Sequence, residues 1–176
     1  MNIARLDPAH AAAYRSITLE ALALHPDAYT SGEPERAALP ASWWEARLDP
    51  DPASNEVVLG AFGADGTLAG TVGLSFEVRE KGRHKVTLFG MYVTPLYRHG
   101  GLGEQLLNAA LDYARLRPHA KIVQLTVTEE NGAARGLYER LGFTAFGVEP
   151  FAIALGECYL AKVHMWRALA PLKAQD

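Results

Sequence analysis

The amino-acid sequence predicts a mixed α/β (α+β) domain built on one twisted sheet of about seven strands flanked by helices. Three observations point there. Residues 57–93 carry three strand-like runs separated by turn-forming residues. The second half alternates helix, strand and helix. A glycine cluster, Gly100-Gly101-Leu102-Gly103, stands where a strand hands over to an amphipathic helix.

Taken in order, Asn2 to Leu6 reads as a first strand. Asp7-Pro8 supplies an N-cap followed by proline at the first helical position. The helix it starts runs to about Leu24, with Ala13, Ile17, Ala21 and Leu24 spaced along one face. Residues 25–40 are rich in Pro, Gly, Ser and Glu and read as a loop with a short helical turn. A second helix spans Pro40 to Leu48, closed by Asp49-Pro50-Asp51-Pro52. The meander follows as Val57 to Phe62, Leu68 to Glu77 and Lys85 to Val93, with turns at Ala64-Asp65-Gly66 and Glu80-Lys81-Gly82-Arg83.

The next helix runs from Gly101 to about Arg117, with Leu102, Leu106, Ala109, Ala110 and Tyr113 on one face. Ile122 to Thr128 alternates apolar Val123, Leu125 and Val127 with polar neighbours, a strand of period two. Asn131 to Leu141 returns to helix through Ala134, Leu137, Tyr138 and Leu141. Two closing strands are expected near Ala145 to Ala154 and Tyr159 to Ala168. Residues 1–176 are expected to make a single domain, because this length suffices for one full core.

Composition narrows the function. An apolar fraction of 49% with 21% charged residues is that of an ordinary globular chain. Net charge is −3 without a basic block, which disfavours a nucleic-acid partner. No apolar run approaches the roughly 20 residues that span a bilayer, so no membrane partner is expected. The N-terminus lacks an uninterrupted apolar signal region and reads as mature protein. The single cysteine, Cys158, allows no internal disulfide and is expected to be a small packed residue. Cytoplasmic localisation is the expectation.

The most informative stretch is Val93-Thr94-Pro95-Leu96-Tyr97-Arg98-His99-Gly100-Gly101-Leu102-Gly103. Glycines let backbone N–H groups approach a ligand closely. The first N–H groups of a helix have no internal partner and sit at its positive end. Together they suit a phosphate or diphosphate, and Arg98 adds a permanent positive charge. The alternative is a tight turn whose glycines serve geometry alone. A dinucleotide fingerprint fits less well, because a spacer with Pro95 intervenes and Leu106 holds the place of the third glycine. A P-loop is excluded, since no Gly-Lys-Ser/Thr follows.

Arg98-x-x-Gly101-x-Gly103 resembles the diphosphate signature of the GNAT superfamily of N-acetyltransferases. Asn131-x-x-Ala134-x-x-Leu137-Tyr138, ending in Gly142-Phe143, resembles that family's second motif, and Met91-Tyr92-Val93 resembles the strand end before the first. The resemblance implies a GNAT fold whose fourth and fifth strands splay around acetyl-CoA, the cofactor. It implies that Met91, Tyr92 and Val93 hold the pantetheine arm and acyl carbonyl. His99, Gly100, Gly101, Leu102 and Gly103 would hold the diphosphate. Asn131 would contact or orient the arm, and Tyr138 would lie beside the sulfur. A homodimer is often formed in the family.

Acyl transfer to an amine needs an unprotonated amine, a stabilised oxyanion and a departing thiolate. A backbone N–H near Val93 can serve the oxyanion. Tyr138, protonated at neutral pH, is the expected donor to the leaving thiolate, although it also sits on an apolar stripe. For the base, Glu77 and Tyr92 are candidates, with Glu129, Glu130 or a water chain as alternatives. His84, His99, His119 and His164 lack metal-ligand spacing, so no metal is expected. Trp43 and Trp44 are expected to pack the second helix, one of them walling the acceptor pocket. Glu33, Glu35, Glu149 and Glu157 suggest a cationic acceptor, whether a small molecule or a peptide or protein amine. The competing function is a catalytically silent acyl-CoA-binding sensor or scaffold. A nucleotide-binding oxidoreductase is a third.

Overall fold

The computed structural model describes residues 1–172. Its strands are β1 (Asn2–Arg5), β2 (Glu56–Phe62), β3 (Leu68–Phe76), β4 (Lys85–Val93), β5 (Ile122–Thr128), β6 (Thr144–Leu155) and β7 (Cys158–Ala168). They form one seven-stranded sheet in the order β1-β2-β3-β4-β5-β7-β6. All neighbours are antiparallel except β4 and β5. The helices are α1 (Ala11–Leu24), α2 (Glu33–Ala37), α3 (Ala41–Ala46), α4 (Leu102–Arg115) and α5 (Gly132–Arg140).

Strand alternation sends neighbouring side chains to opposite faces, and the central sheet is covered on both. Val57, Leu59 and Ala61 pack with Leu106, Leu107 and Ala110 of α4. Val58, one residue out of phase, packs with Tyr14 and Ile17 of α1 and with Trp44 of α3. This explains why β2 and β3 read as nearly continuous apolar runs.

Asp7 does cap the first helical turn, accepting from the Ala9 N–H at 2.9 Å. That turn, Pro8–His10, is a 3-10 turn, so the α-helix begins at Ala11. The buried face therefore keeps the expected Ile17 and Ala21 and is completed by Ala11, Tyr14 and Leu22. Ala13 faces solvent and Leu24 is exposed at the helix end. Cys158 is also exposed, because it opens β7 at the turn of an outer hairpin, where there is nothing to pack against.

The feature that positions the site is the parting of β4 and β5. They pair only at Lys85↔Ile122, Val86↔Val123 and Thr87↔Gln124. Beyond that point β5 continues with β7 as far as Thr128↔Lys162. β4 instead follows β3, whose register with it slips between Thr71 and Gly73. The slip lies opposite Gly90, whose φ of 58° is a left-handed conformation that favours glycine. Thr71 Oγ1 pins the irregularity by donating to the Gly90 carbonyl at 3.2 Å.

Leu106 is fully buried between α4 and the sheet. Leu106→Ala is expected to destabilise the fold by about 2–5 kcal/mol, read as a lower denaturant midpoint at unchanged slope.

Candidate active site

The split opens a cleft of about 660 Å³. Its walls are β4 from Thr87 onward and β5 from Leu125 onward, and the start of α4 and one face of α5 complete it. Thr94 donates to Ala69 on β3 at 2.9 Å. Alternation then turns the N–H and C=O of Val93 the other way, toward the gap. Two carbonyls on this open edge already have protein partners. Val93 accepts from Arg98 Nε at 2.9 Å, and Met91 accepts from the Tyr29 hydroxyl at 3.2 Å.

The glycine loop forms the far end of the cleft. His99 and Gly101 both have left-handed backbones, with φ of 64° and 75°, the kind of local conformation that shapes anion-binding concavities. Gly101 is the N-cap of α4 and has no side chain to cap it. Among the described residues, the amides of His99 through Glu104 have no hydrogen-bond acceptor. A run of free amides at the positive end of a 14-residue helix is chemically matched to a diphosphate.

The expected cofactor residues Met91, Tyr92, Val93, Arg98, His99, Gly101, Leu102, Gly103, Asn131 and Tyr138 line this cleft, whereas Gly100 does not. Two of them behave differently from expectation. Arg98 does not stand free beside the loop, because its guanidinium is drawn to the Val93 carbonyl and to His25 Nε2 at 2.9 Å. Arginine only donates, so His25 accepts. Asn131 uses its side-chain oxygen to cap α5, accepting from the Ala134 N–H at 3.1 Å. It thereby holds the helix that carries Tyr138.

Tyr138 is buried on the cleft wall, edge-on to Phe143 with ring centroids 5.8 Å apart. Burial pushes its phenol up to about 12, and its hydroxyl has no hydrogen-bond partner among the described residues. Tyr92 Oη donates to Glu20 Oε1 at 2.7 Å. Burial, with that carboxylate second, raises Tyr92 to about 12 as well. Tyr92 is therefore a protonated phenol at neutral pH. Glu20 was missed in the sequence, since it lies on α1, 72 residues from its partner.

Glu77, the other candidate base, stands apart from Tyr92. It lies past the end of β3 and lines neither cavity. Both carboxylate oxygens are taken by Arg79, at 3.0 and 2.6 Å. Those hydrogen bonds lower it to about 2. Glu129 and Glu130 also lie outside the cleft lining, where Glu104 is the one carboxylate among the described residues.

A second cavity of about 270 Å³ shares Tyr29, Thr30, Phe89, Gly90 and Tyr92 with the cleft lining. Trp43 and Trp44 wall it, as do Arg36 and Arg47. Trp44 is almost fully buried, and its indole N–H has no acceptor among the described residues. Glu33, Glu35, Glu149 and Glu157 do not line it. Glu149 instead meets His164 at 3.1 Å, and Glu35 turns to the Gly32 N–H at 3.4 Å. The loop between α1 and α2 roofs the junction. It is tied to β4 by Tyr29, to β5 by Thr128 Oγ1 donating to the Asp27 carbonyl at 2.7 Å, and to β7 by Lys162 donating to Thr30 Oγ1.

No group of three or more His, Cys, Asp or Glu side chains fit to hold a metal ion occurs among the described residues. No helix of the described residues is long and apolar enough to cross a membrane.

A parallel strand pair that splits beside a glycine-lined helix start is the architecture of acyl-CoA-dependent acyltransferases. The chain belongs to the acetyltransferase (GNAT) family, whose family model matches residues 18–143. Members of this family use acetyl-CoA. The chain is 28% identical to an acetyltransferase of GNAT family from Streptococcus pneumoniae, with a TM-score of 0.84 over 96% of this chain and 99% of that one. It is 26% identical to a putative acetyltransferase from Salmonella typhimurium solved with acetyl-CoA, with a TM-score of 0.79 over 100% and 98% of the two chains. It is also 36% identical over 89 residues to streptothricin acetyltransferase of Streptomyces lavendulae, covering 51% of this chain and 45% of that protein. The chain spans about half the length or less of the curated relatives it matches.

The raised phenols are directly measurable. Difference absorbance titrations of the parent against Tyr92→Phe and Tyr138→Phe should place each ionisation near pH 12. The neutral form is the one burial favours, so any stability that depends on it is complete below the ordinary tyrosine range and fades as pH rises toward 12. Ionisation of either phenol near 10 would contradict the burial argument.

Proposed function

We propose that this protein is an N-acetyltransferase that moves an acetyl group from acetyl-CoA to a primary amine by direct attack. The acceptor is a small molecule or a peptide or protein amine. The observation that carries this is the parting of β4 from β5 beside a run of amides with no acceptor of their own. A phosphate-bearing thioester matches both features at once.

When bound, acetyl-CoA supplies an activated thioester carbonyl. The chain's own groups then divide the work. Amides of His99, Gly101, Leu102 and Gly103 hold the diphosphate at the start of α4. The open edge of β4 at Met91 and Val93 would receive the pantetheine arm, and the Val93 N–H would be the hydrogen-bond donor to the acyl carbonyl oxygen. Asn131 orients α5 by capping it. Tyr138 keeps its proton to about pH 12 and can donate it to the departing sulfur.

Deprotonation of the amine runs through Tyr92 and Glu20. The amine gives its proton to Tyr92 Oη as the phenol passes its own to Glu20 Oε1, 2.7 Å away. Glu20 is exposed and releases the proton to solvent. The cleft and the smaller cavity share Tyr92, so an amine entering from the cavity meets this hydroxyl at the junction.

Thermal-shift measurements test the cofactor. At 100 times its dissociation constant, CoA should stabilise the fold by about 2.7 kcal/mol through linkage, and NAD should have no effect. Absence of a shift with CoA or acetyl-CoA would overturn the proposal.

Turnover with an amine panel, followed by thiol release, tests the roles. Tyr138→Phe should lower kcat about a hundredfold with CoA affinity nearly unchanged. Glu20→Gln should lower kcat about tenfold at neutral pH and recover as rising pH frees the amine. Glu77→Gln should do neither. An unchanged kcat in Tyr138→Phe removes Tyr138 from the chemistry.

A further inference from the structure

The smaller cavity carries a charge opposite in sign to its surroundings. The whole chain has a net charge of −3, and α2 and α3 contain Glu33, Glu35 and Glu45. Yet among the described residues no acidic one lines this cavity, and two arginines do. Arg36 makes one side-chain hydrogen bond, to Ser31 Oγ at 2.9 Å, and no ion pair among the described residues. Its guanidinium lies 4.9 Å from the Trp43 ring centre. Arg47 lies between Trp43 and Phe89, at 5.1 and 4.6 Å from their centres. Its acidic partner, Glu56, stands at a loose 3.5 Å and is the more exposed of the two, at 39% against 20%. Arg47 also sits beside the buried Tyr14, whose phenol is raised by burial and lowered by this guanidinium.

Two guanidinium groups held against aromatic faces, with most of their donors unspent, form a receptor for a planar anion. An arginine fork matches a carboxylate in two parallel hydrogen bonds. Aromatic walls exclude water, which strengthens the attraction over its value at an open surface. The cavity of about 270 Å³ accommodates a small molecule and shares with the cleft Tyr92, where the amine must arrive. A cationic acceptor would instead face two like charges.

Building on the acetyl-transfer proposal, we infer that the acceptor is an amine that also carries a carboxylate, of the free amino-acid class, and that Arg36 and Arg47 grip the carboxylate while the amine faces Tyr92. The other lining groups add hydrogen bonds without adding negative charge. This assigns to α2 and α3 the selection of substrate, and to the β4 edge the chemistry.

The experiment is calorimetric titration of CoA-saturated protein with a panel of free L-amino acids and their matching amides, which lack the carboxylate charge. At least one acid should bind about tenfold or more tightly than its amide. Arg36→Gln and Arg47→Gln should each abolish that preference and leave both amide binding and the CoA-induced thermal shift intact. Arg36→Lys, which keeps the charge and loses the fork, should retain part of it. If no acid binds better than its amide, or if the preference survives both glutamine substitutions, the inference falls. Failure of CoA itself to bind would instead remove the acetyl-transfer proposal, and this one with it.

Discussion

Three parallel residue pairs hold β4 to β5, and everything distinctive about the molecule follows from their ending there. A sheet interior normally satisfies every backbone N–H and C=O with a neighbouring strand. Here β5 stays with β7 and β4 stays with β3, so the facing edges of both run into a gap. Groups left inside a protein need partners. Some come from side chains, as the Tyr29 hydroxyl on Met91 and Arg98 on Val93 show. Others, above all the Val93 N–H and the amides at the start of α4, remain available to a ligand. The left-handed Gly90 and the slip in register opposite it let one strand keep a partner while leaving the other.

The protonation states around this gap follow from who is buried with whom. Tyr138 sits among apolar neighbours and keeps its proton because the phenolate would be poorly solvated there. Tyr92 keeps its proton for the same reason, reinforced by a carboxylate at the far side of its hydroxyl. One phenol thus has a free donor, and the other has a donor already aimed outward at Glu20. The two suit opposite tasks, giving a proton inward and conveying one out. Carboxylates are nearly absent from the lining, so little negative charge stands near the free amides at the start of α4 or the arginines of the smaller cavity.

Motifs made of consecutive residues could be seen before the fold was known. The glycine loop, the strand before it and the α5 segment from Asn131 to Tyr138 carry their geometry in local backbone chemistry and helical spacing, and all three contribute residues to the cleft lining. Contacts between distant segments could not be seen. Glu20 meets Tyr92 only because α1 packs on β4, and Tyr29 reaches Met91 only because the loop after α1 bridges the split. Glu77 misled for a related reason. A carboxylate at a strand end is plausible anywhere, but its neighbour two residues on is an arginine that captures it. The acidic residues expected near the acceptor misled similarly, since composition says nothing about which way a side chain points.

The linear chain by itself therefore determined the order of helices and strands and the glycine loop that opens α4, because dihedral preference, periodicity and helix-end polarity all act over a few adjacent residues. Tertiary structure alone decided where the sheet splits, which phenol receives a carboxylate and which charges face the smaller cavity. Those outcomes depend on side chains brought together from α1, α3 and β4 by burial of the apolar cluster that holds Tyr14, Trp44 and Tyr92. That burial is a property of the assembled layers and is written in no single segment.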